Sequence, residues 1–286
     1  VNRNVYLLRF SCLVLVFVIG VTSFWLAGLR YDVDDLMKVR FLAVGQGDAI
    51  FIETPSGKQV LIDGGNGSVV LTALRKYMTW YDRGIDLVVS THPDLDHIGG
   101  LVEVLPRFEV DSILLTEATQ SEGEGQFFYA LALEEGADII FARTGQEIWL
   151  ESDIVLKVLS PAYDPSLLET NAGSIVTLLQ YKDVGFMLTG DAPFAIEDYL
   201  VESGEDVEAQ VLKLGHHGSK TSTGEKFLAA VNPAYTVVSA GANNTYGHPH
   251  EVIVDRVQNF GATILSTAFG EDISFVSDGL SVWRKR

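Results

Sequence analysis

The chain has 286 residues, 47% hydrophobic and 20% charged, with a formal net charge of −18. That length supports one sizeable domain or two small ones, and that composition excludes a disordered chain. A single cysteine, Cys12, rules out both a disulfide framework and a cysteine-based metal site.

The charge is unevenly placed. Residues 1–30 carry Arg3, Arg9 and Arg30 and no acid, which leaves 17 basic against 38 acidic groups in the rest. Such a balance disfavours broad capture of a polyanion, so a nucleic-acid ligand needs a local basic or metal-lined groove. Residues 10–29, FSCLVLVFVIGVTSFWLAGL, run for 20 positions without a charge, the length of a helix crossing a ~30 Å hydrocarbon core. They are expected to form a single-pass membrane anchor. A cleaved secretory signal is the rival, disfavoured by the length of the run and the lack of an A-x-A site. Arg3 and Arg9 on one side nearly balance Arg30, Lys38 and Arg40 on the other, so flanking charge does not set the topology. A water-soluble domain is expected over residues 37–286.

That domain opens with strands predicted at 39–44, 49–54 and 59–63, the last two separated by the turn residues PSGK and therefore antiparallel. A helix over 69–80 follows, then a buried strand over 86–92 that carries His92 at its end. Further strands are predicted at 112–116, 138–142, 154–160, 174–181, 185–191, 210–215, 235–241 and 263–266. Helices are predicted at 99–106, 125–135, 193–203, 223–231 and 250–260. Strand runs in both halves, each with interleaved helices, imply two mixed sheets packed together with helices outside.

All six histidines fall in three short places: His92 and His97, His216 and His217, His248 and His250. Each place lies just beyond a predicted strand, as do Asp63 and Asp191, and strand ends along one edge are where loops converge to form sites. A surface histidine or a capping aspartate explains any one of these alone. His250, just before Glu251 at a predicted helix start, is read as a cap. For the whole set, clustered His and Asp point to a metal site. THPDLDHIGG (91–100) puts His92, Asp94, Asp96 and His97 into six positions, and Gly99 and Gly100 read as a tight turn that starts a helix beside them. Imidazoles suit Zn²⁺, Mn²⁺ or Fe²⁺, while carboxylates suit harder ions and bridge pairs of them. One or two divalent ions, Zn²⁺ or Mn²⁺, are the expected cofactor.

THPDLDHIGG together with VGQGD (44–48), LIDGG (61–65), LTGDA (188–192), KLGHHGSKTST (213–223) and YGHPH (246–250) resembles the metallo-β-lactamase superfamily, whose hallmark is an HxHxDH loop. Within it, the motifs are similar to the metallo-β-lactamase-like domain of the ComEC-type DNA-uptake competence proteins, from about residue 38 to the C-terminus. The resemblance implies an αβ/βα sandwich of two mixed sheets. It implies His92, Asp96 and His97 as metal ligands, Asp191 as a bridging carboxylate, and His216 or His217 as a further ligand, with His216 favoured because it directly leaves the strand. Two departures stand out. Asp94 replaces the second histidine of the hallmark loop, and no histidine lies between 98 and 215; Asn171 is the best-placed polar substitute. An oxygen-rich metal position at Asp94 is therefore expected, weakening Zn²⁺ there and favouring Mn²⁺ or Mg²⁺. A single ion with Asp94 standing behind it is the alternative.

The resemblance further implies a nuclease that degrades the non-transported DNA strand outside the membrane. The multi-helix channel region of that family has no counterpart in these residues, so the expectation is a membrane-anchored, extracytoplasmic phosphodiesterase acting on single-stranded DNA rather than a transporter. Asp96, His97 and Asp191 would hold the activating ion, and Lys220, Ser219 or Thr221 would contact phosphate. His248 would protonate the leaving oxygen or complete the metal shell. An ordinary surface cation is the plain reading of Lys220, and helix capping that of Ser219 or Ser222. Hydrolysis of a small phosphoester or other ester at the cell envelope is the alternative activity, favoured by the acidic balance. A non-catalytic membrane-bound binding module is a second.

Overall fold

The computed structural model describes residues 9, 12–22, 36–120, 123–165 and 168–285. Contacts divide the chain into two compact units, Val1–Asp35 and Leu36–Arg286. In the first, residues 12–22 are helical. The rest of the expected anchor lies outside the described residues, and among those described no helix is long and apolar enough to cross a membrane.

The second unit is built on two sheets. One has eight strands in the order β15 (Val282–Lys285), β14 (Ile273–Ser277), β1 (Met37–Phe41), β2 (Ile50–Glu53), β3 (Gln59–Ile62), β4 (Gly84–Val89), β5 (Glu109–Leu115) and β6 (Asp138–Phe141). Pairing is antiparallel from β15 to β3 and parallel from β3 to β6. The other has seven, in the order β13 (Thr263–Ser266), β12 (Tyr235–Val238), β11 (Val211–Lys213), β10 (Val184–Leu188), β9 (Val176–Tyr181), β8 (Ile154–Ser160) and β7 (Glu147–Glu151). Here β10 to β13 are parallel and β7 to β10 antiparallel. Both sheets are mixed, as expected.

Alternation along the strands makes the layers. Ile50, Ile52, Val60 and Ile62 of the first sheet and Val184, Phe186 and Leu188 of the second meet in one central core. The residues between them turn the other way, as period-two side chains must: Phe51 and Leu61 join a core with α1 (Val69–Leu74), α2 (Leu95–Val104) and α3 (Gly123–Glu135). Met187 joins another with α4 (Phe194–Ser203), α5 (Glu225–Val231) and α6 (Glu251–Phe260). Strands apolar on both faces are what a sheet covered on both sides requires.

The structure corrects the expected helix at 99–106. It begins at Leu95, with Asp94 at the N-cap position, so Asp96 and His97 lie in its first turn. Gly99 and Gly100 are therefore inside the helix and do not make a turn before it. Their use is close approach. A Cβ on Gly100 would stand 1.9 Å from the Gly64 carbonyl oxygen, while Gly100 N–H donates to Gly65 O at 2.7 Å and Gly64 N–H to His97 O at 2.7 Å. LIDGG and the metal-motif helix are thereby locked together. Gly100→Ala is expected to cost about 3 kcal/mol or more, because backbone meets backbone. Gly99→Ala, whose nearest neighbour is the flexible Leu95 Cδ1 at 3.2 Å, should cost less. Denaturant midpoints check this, and a Gly100→Ala protein as stable as Gly99→Ala would refute it.

Candidate metal centre

The parallel strands β3 and β4 end on the same edge, and the loops beyond them carry Asp63 and His92. From the second sheet, the loop after β10 brings Asp191 and the turn after β11 brings His216 and His217. Three of these residues hold left-handed backbone: Asp63 (φ 57°), His216 (φ 46°) and His217 (φ 55°). Non-glycine residues take that region at a cost on the order of 1–2 kcal/mol each, and such strain gathers at functional sites.

The side chains converge on one oxygen. Asp191 Oδ2 lies 3.4 Å from His97 Nε2, 3.4 Å from His217 Nε2, 3.8 Å from His216 Nε2 and 4.0 Å from His92 Nε2. Asp96 Oδ2 lies 3.3 Å from His217 Nε2, and Asp94 Oδ2 3.7 Å from His92 Nε2. Asp94 makes no side-chain cap to the helix it precedes, which frees its carboxylate for this cluster. Asp191 is common to two sets of contacts, one that adds Asp96 through His217 and one that adds Asp94 through His92, while His216 reaches the same Asp191 oxygen. Both histidines of the HHG motif are thus at the site.

The imidazoles are oriented from behind. His97 Nδ1 is 2.7 Å from Asp63 Oδ2, and Thr91 Oγ1 donates to the same carboxylate at 2.7 Å. With its hydrogen so committed, Thr91 Oγ1 accepts from His92 Nδ1 at 3.0 Å. His217 Nδ1 faces Asp48 Oδ1 at 3.4 Å. Nδ1 then carries the hydrogen, and Nε2 turns a lone pair toward Asp191. Among the described residues, the buried Nε2 atoms of His92, His97 and His217 have no hydrogen-bond partner, and neither does Asp191 Oδ1. Lone pairs pressed against a carboxylate demand a cation between them. Four donors ~2.1 Å from one ion stand roughly 3.4 Å apart in a tetrahedral array, close to the separations of Asp191 from His97 and His217 and of Asp96 from His217. The contacts that His92 and His216 make with Asp191 and Asp94 are a few tenths of an ångström wider.

One atom from each of Asp48, His97, Asp191 and His217 also lies within 4.8 Å of the others, but Asp48 stands behind the site. It faces the Nδ1 atoms, at 3.8 Å for His97, and is ion-paired with Lys213 Nζ. Lys213 is fully buried, donates to Gly190 O at 2.8 Å and lies 3.5 Å from Asp191 Oδ1. Asp48 and Lys213 were not among the residues expected to form the site, whereas Asp63, expected among the clustered strand-end residues, lies behind His97. A lone lysine inside the apolar strand run VLKL was the signal for Lys213.

The charges follow from this packing. Burial opposes protonation of His97 and His217, yet Asp191 outweighs it at both, with Asp63 at His97 and Asp48 at His217; His97 is raised well above the usual range and His217 to about 9. Burial would raise Asp191, but His217, His97 and Lys213 hold it well below the carboxylate range. Burial and then His97 lower His92 to about 3, and burial followed by His216, His217 and His250 lowers His248 to about 4. Without an ion, then, His97 and His217 borrow protons as the missing positive charge.

The remaining expected residues are placed as follows. His248 sits with its ring centroid 5.5 Å from His216 and 6.1 Å from His217, its Nδ1 buried and unpartnered. Asn171 Nδ2 is 3.4 Å from His216 Nδ1, behind that imidazole, so it orients a histidine and does not replace one. Lys220 is exposed. His250 occupies the N-cap position of α6 without a side-chain cap; its Nδ1 accepts from Lys220 N–H at 3.2 Å instead, which corrects the capping role. Ser222 donates to Gly215 O rather than capping α5, whose N-cap is Gly224. Ser219 makes no cap there either; its Oγ accepts from Thr221 Oγ1 at 3.0 Å.

Residues 42–242 match the family model of the metallo-beta-lactamase superfamily. The chain belongs to that superfamily. It is 32% identical over 248 residues to ComE operon protein 3 of Bacillus subtilis (strain 168), covering 80% of this chain and 32% of that one. It is 28% identical over 255 residues to Recombination protein 2 of Haemophilus influenzae, covering 87% and 30%. The resemblance to ComEC-type competence proteins is borne out, and the chain spans about a third of the length of these relatives. Among solved structures, CmlA, a diiron beta-hydroxylase from Streptomyces venezuelae, aligns with a TM-score of 0.58 at 14% identity over 87% of this chain and 54% of that one. Human tRNase Z, short form, aligns at 0.52 and 14% over 82% and 98%. At such identities these likenesses show the fold alone.

Proposed function

We propose that residues 37–286 form a two-ion phosphodiesterase domain that cuts single-stranded DNA, attached to a membrane through residues 10–29 and facing outward. The observation that supports this reading is Asp191 Oδ2 within 4.0 Å of four imidazole Nε2 atoms, those of His92, His97 and His217 buried and without a hydrogen-bond partner among the described residues. His97, His217 and Asp96 would hold one ion, His92, His216 and Asp94 the other, with Asp191 shared. Asp48, Asp63, Asp94, Asp96 and Asp191 against Lys213 leave four negative charges, which two divalent ions balance. Each position then offers two imidazoles and carboxylate oxygen, a mixture that accepts Mn²⁺ as well as Zn²⁺. The nitrogen depletion expected at Asp94 is made good by His216.

Divalent ions bound there would supply Lewis acidity to a phosphoryl oxygen and acidify water toward neutral pH. The chain's own part is holding and proton handling. Asp63, Thr91 and Asp48 fix the imidazole tautomers, and Lys213 engages Asp191 Oδ1 so that Oδ2 stays directed at the ions. His248, neutral at pH 7, enters as a proton acceptor, and Lys220 stands exposed to meet a phosphate. The charge-free run at 10–29 supports membrane attachment, and the competence-protein relatives support a DNA substrate.

The test uses the full chain in detergent, stripped of metal, and follows cleavage of labelled single-stranded DNA on adding Mn²⁺, Mg²⁺ or Zn²⁺. Mn²⁺-dependent cutting is expected. Tight ion binding without cutting by any ion would sink the nuclease reading and leave a small envelope ester as the substrate.

A further inference from the structure

A cleft of about 410 Å³ opens at the opposite edge of the first sheet, between Leu71, Arg75, Trp80, Arg83, Arg107 and Phe108. β4 starts there and runs toward His92, so its six residues, about 20 Å of strand, separate the cleft from the metal centre. Two features set it apart from the rest of an acidic surface. Three of the seven arginines between residues 36 and 285 line it. Of the other four, Arg40, Arg143 and Arg256 are paired with Glu53, Glu117 and Glu225 and Arg284 stands alone on the surface, whereas in the cleft two guanidinium groups lie together, those of Arg75 and Arg83, with no hydrogen bond or ion pair among the described residues. Arg107 pairs with Glu103 at 3.0 Å. The acid in the cleft, Asp82, is already engaged by Gln59 Nε2 at 2.6 Å.

The second feature is aromatic. Trp80 is 90% exposed and Tyr81 70%, the two rings packed edge to face at 5.5 Å. A solvent-facing indole beside unpaired guanidiniums is the combination that single-stranded nucleic acid uses: bases stack on the ring and phosphates pair with the arginines.

We propose that this cleft is a second contact for single-stranded nucleic acid, with a base stacked on Trp80 and phosphates on Arg75, Arg83 and Arg107. The choice of ligand rests on the DNA reading above, but binding here needs no catalytic ion. In a chain of net charge −18, such an isolated basic spot holds a strand locally where the surrounding surface repels it.

The experiment is fluorescence anisotropy of a short labelled oligothymidylate with the full chain in detergent and excess chelator, so that cleavage cannot interfere. Trp80→Ala and the pair Arg75→Ala/Arg83→Ala should each weaken binding about tenfold. The logarithm of affinity should fall with the logarithm of salt with a slope of about −2 for three phosphate contacts. Arg284→Ala, which removes an exposed arginine outside the cleft, should bind like the parent. Binding unchanged by Trp80→Ala, or weakened as much by Arg284→Ala as by the cleft variants, would overturn the proposal. Concentration-dependent self-association that Trp80→Ala abolishes, with oligonucleotide binding unaffected, would overturn it too and make the patch a protein contact.

Discussion

Asp191→Asn is expected to reduce cleavage on the order of a thousandfold or more, with a matching fall in divalent-ion affinity. The reason is position. One oxygen stands within 4.0 Å of four imidazole Nε2 atoms, so under the proposed two-ion reading it is the atom that both ions would share. An amide removes its charge and offers an N–H₂ that cannot ligate. Asp63→Asn is the informative comparison, because Asp63 touches only the back of His97 and Thr91. Loss of a group behind a ligand costs about ten- to a hundredfold in ion affinity. Equal effects of the two substitutions on cleavage and ion binding would contradict the assignment of Asp191 as the shared ligand.

Ion affinity should also rise steeply with pH. In the ion-free protein His217 keeps its proton to about pH 9, and His97 is raised well above the usual imidazole range, because Asp191 and the carboxylates behind them outweigh burial. An ion taking both Nε2 lone pairs must expel both protons. Below pH 9 each displaced proton makes apparent affinity about tenfold better per pH unit gained, so two protons give up to about a hundredfold per unit. His92, held near 3 and therefore already neutral, adds nothing to this slope. Competition with a chelator between pH 6 and 8, together with proton release read calorimetrically in two buffers, measures it. Affinity independent of pH would mean that the ion does not occupy the His97 and His217 nitrogens.

Much of this was legible in the residues. The two-sheet layering followed from apolar runs such as IFI and VLI, whose alternate side chains feed different cores, and the clustered histidines marked the sheet edge where the site lies. What escaped is of two kinds. β7, β14 and β15 were missed because EIWLE and VWRK are half-exposed edge strands with little burial signal, and ISFVS is short. Asp48 and Lys213 were missed, and the choice between His216 and His217 was left open, because both depend on how the two sheets meet. Spacing along one chain segment does not show that a lysine of β11 reaches an aspartate of the VGQGD turn. Nor does it show that left-handed backbone at two successive histidines brings both their Nε2 atoms to the same oxygen of Asp191.

The most direct test of the two-ion centre is a calorimetric titration of Mn²⁺ into the metal-stripped full chain, with elemental analysis of the product. Two ions per chain are predicted, bound with unequal affinity. The tighter should be lost on His217→Ala and the looser, from the wider group, on His92→Ala. No bound ion, or a single ion indifferent to His92 and His216, would contradict the account.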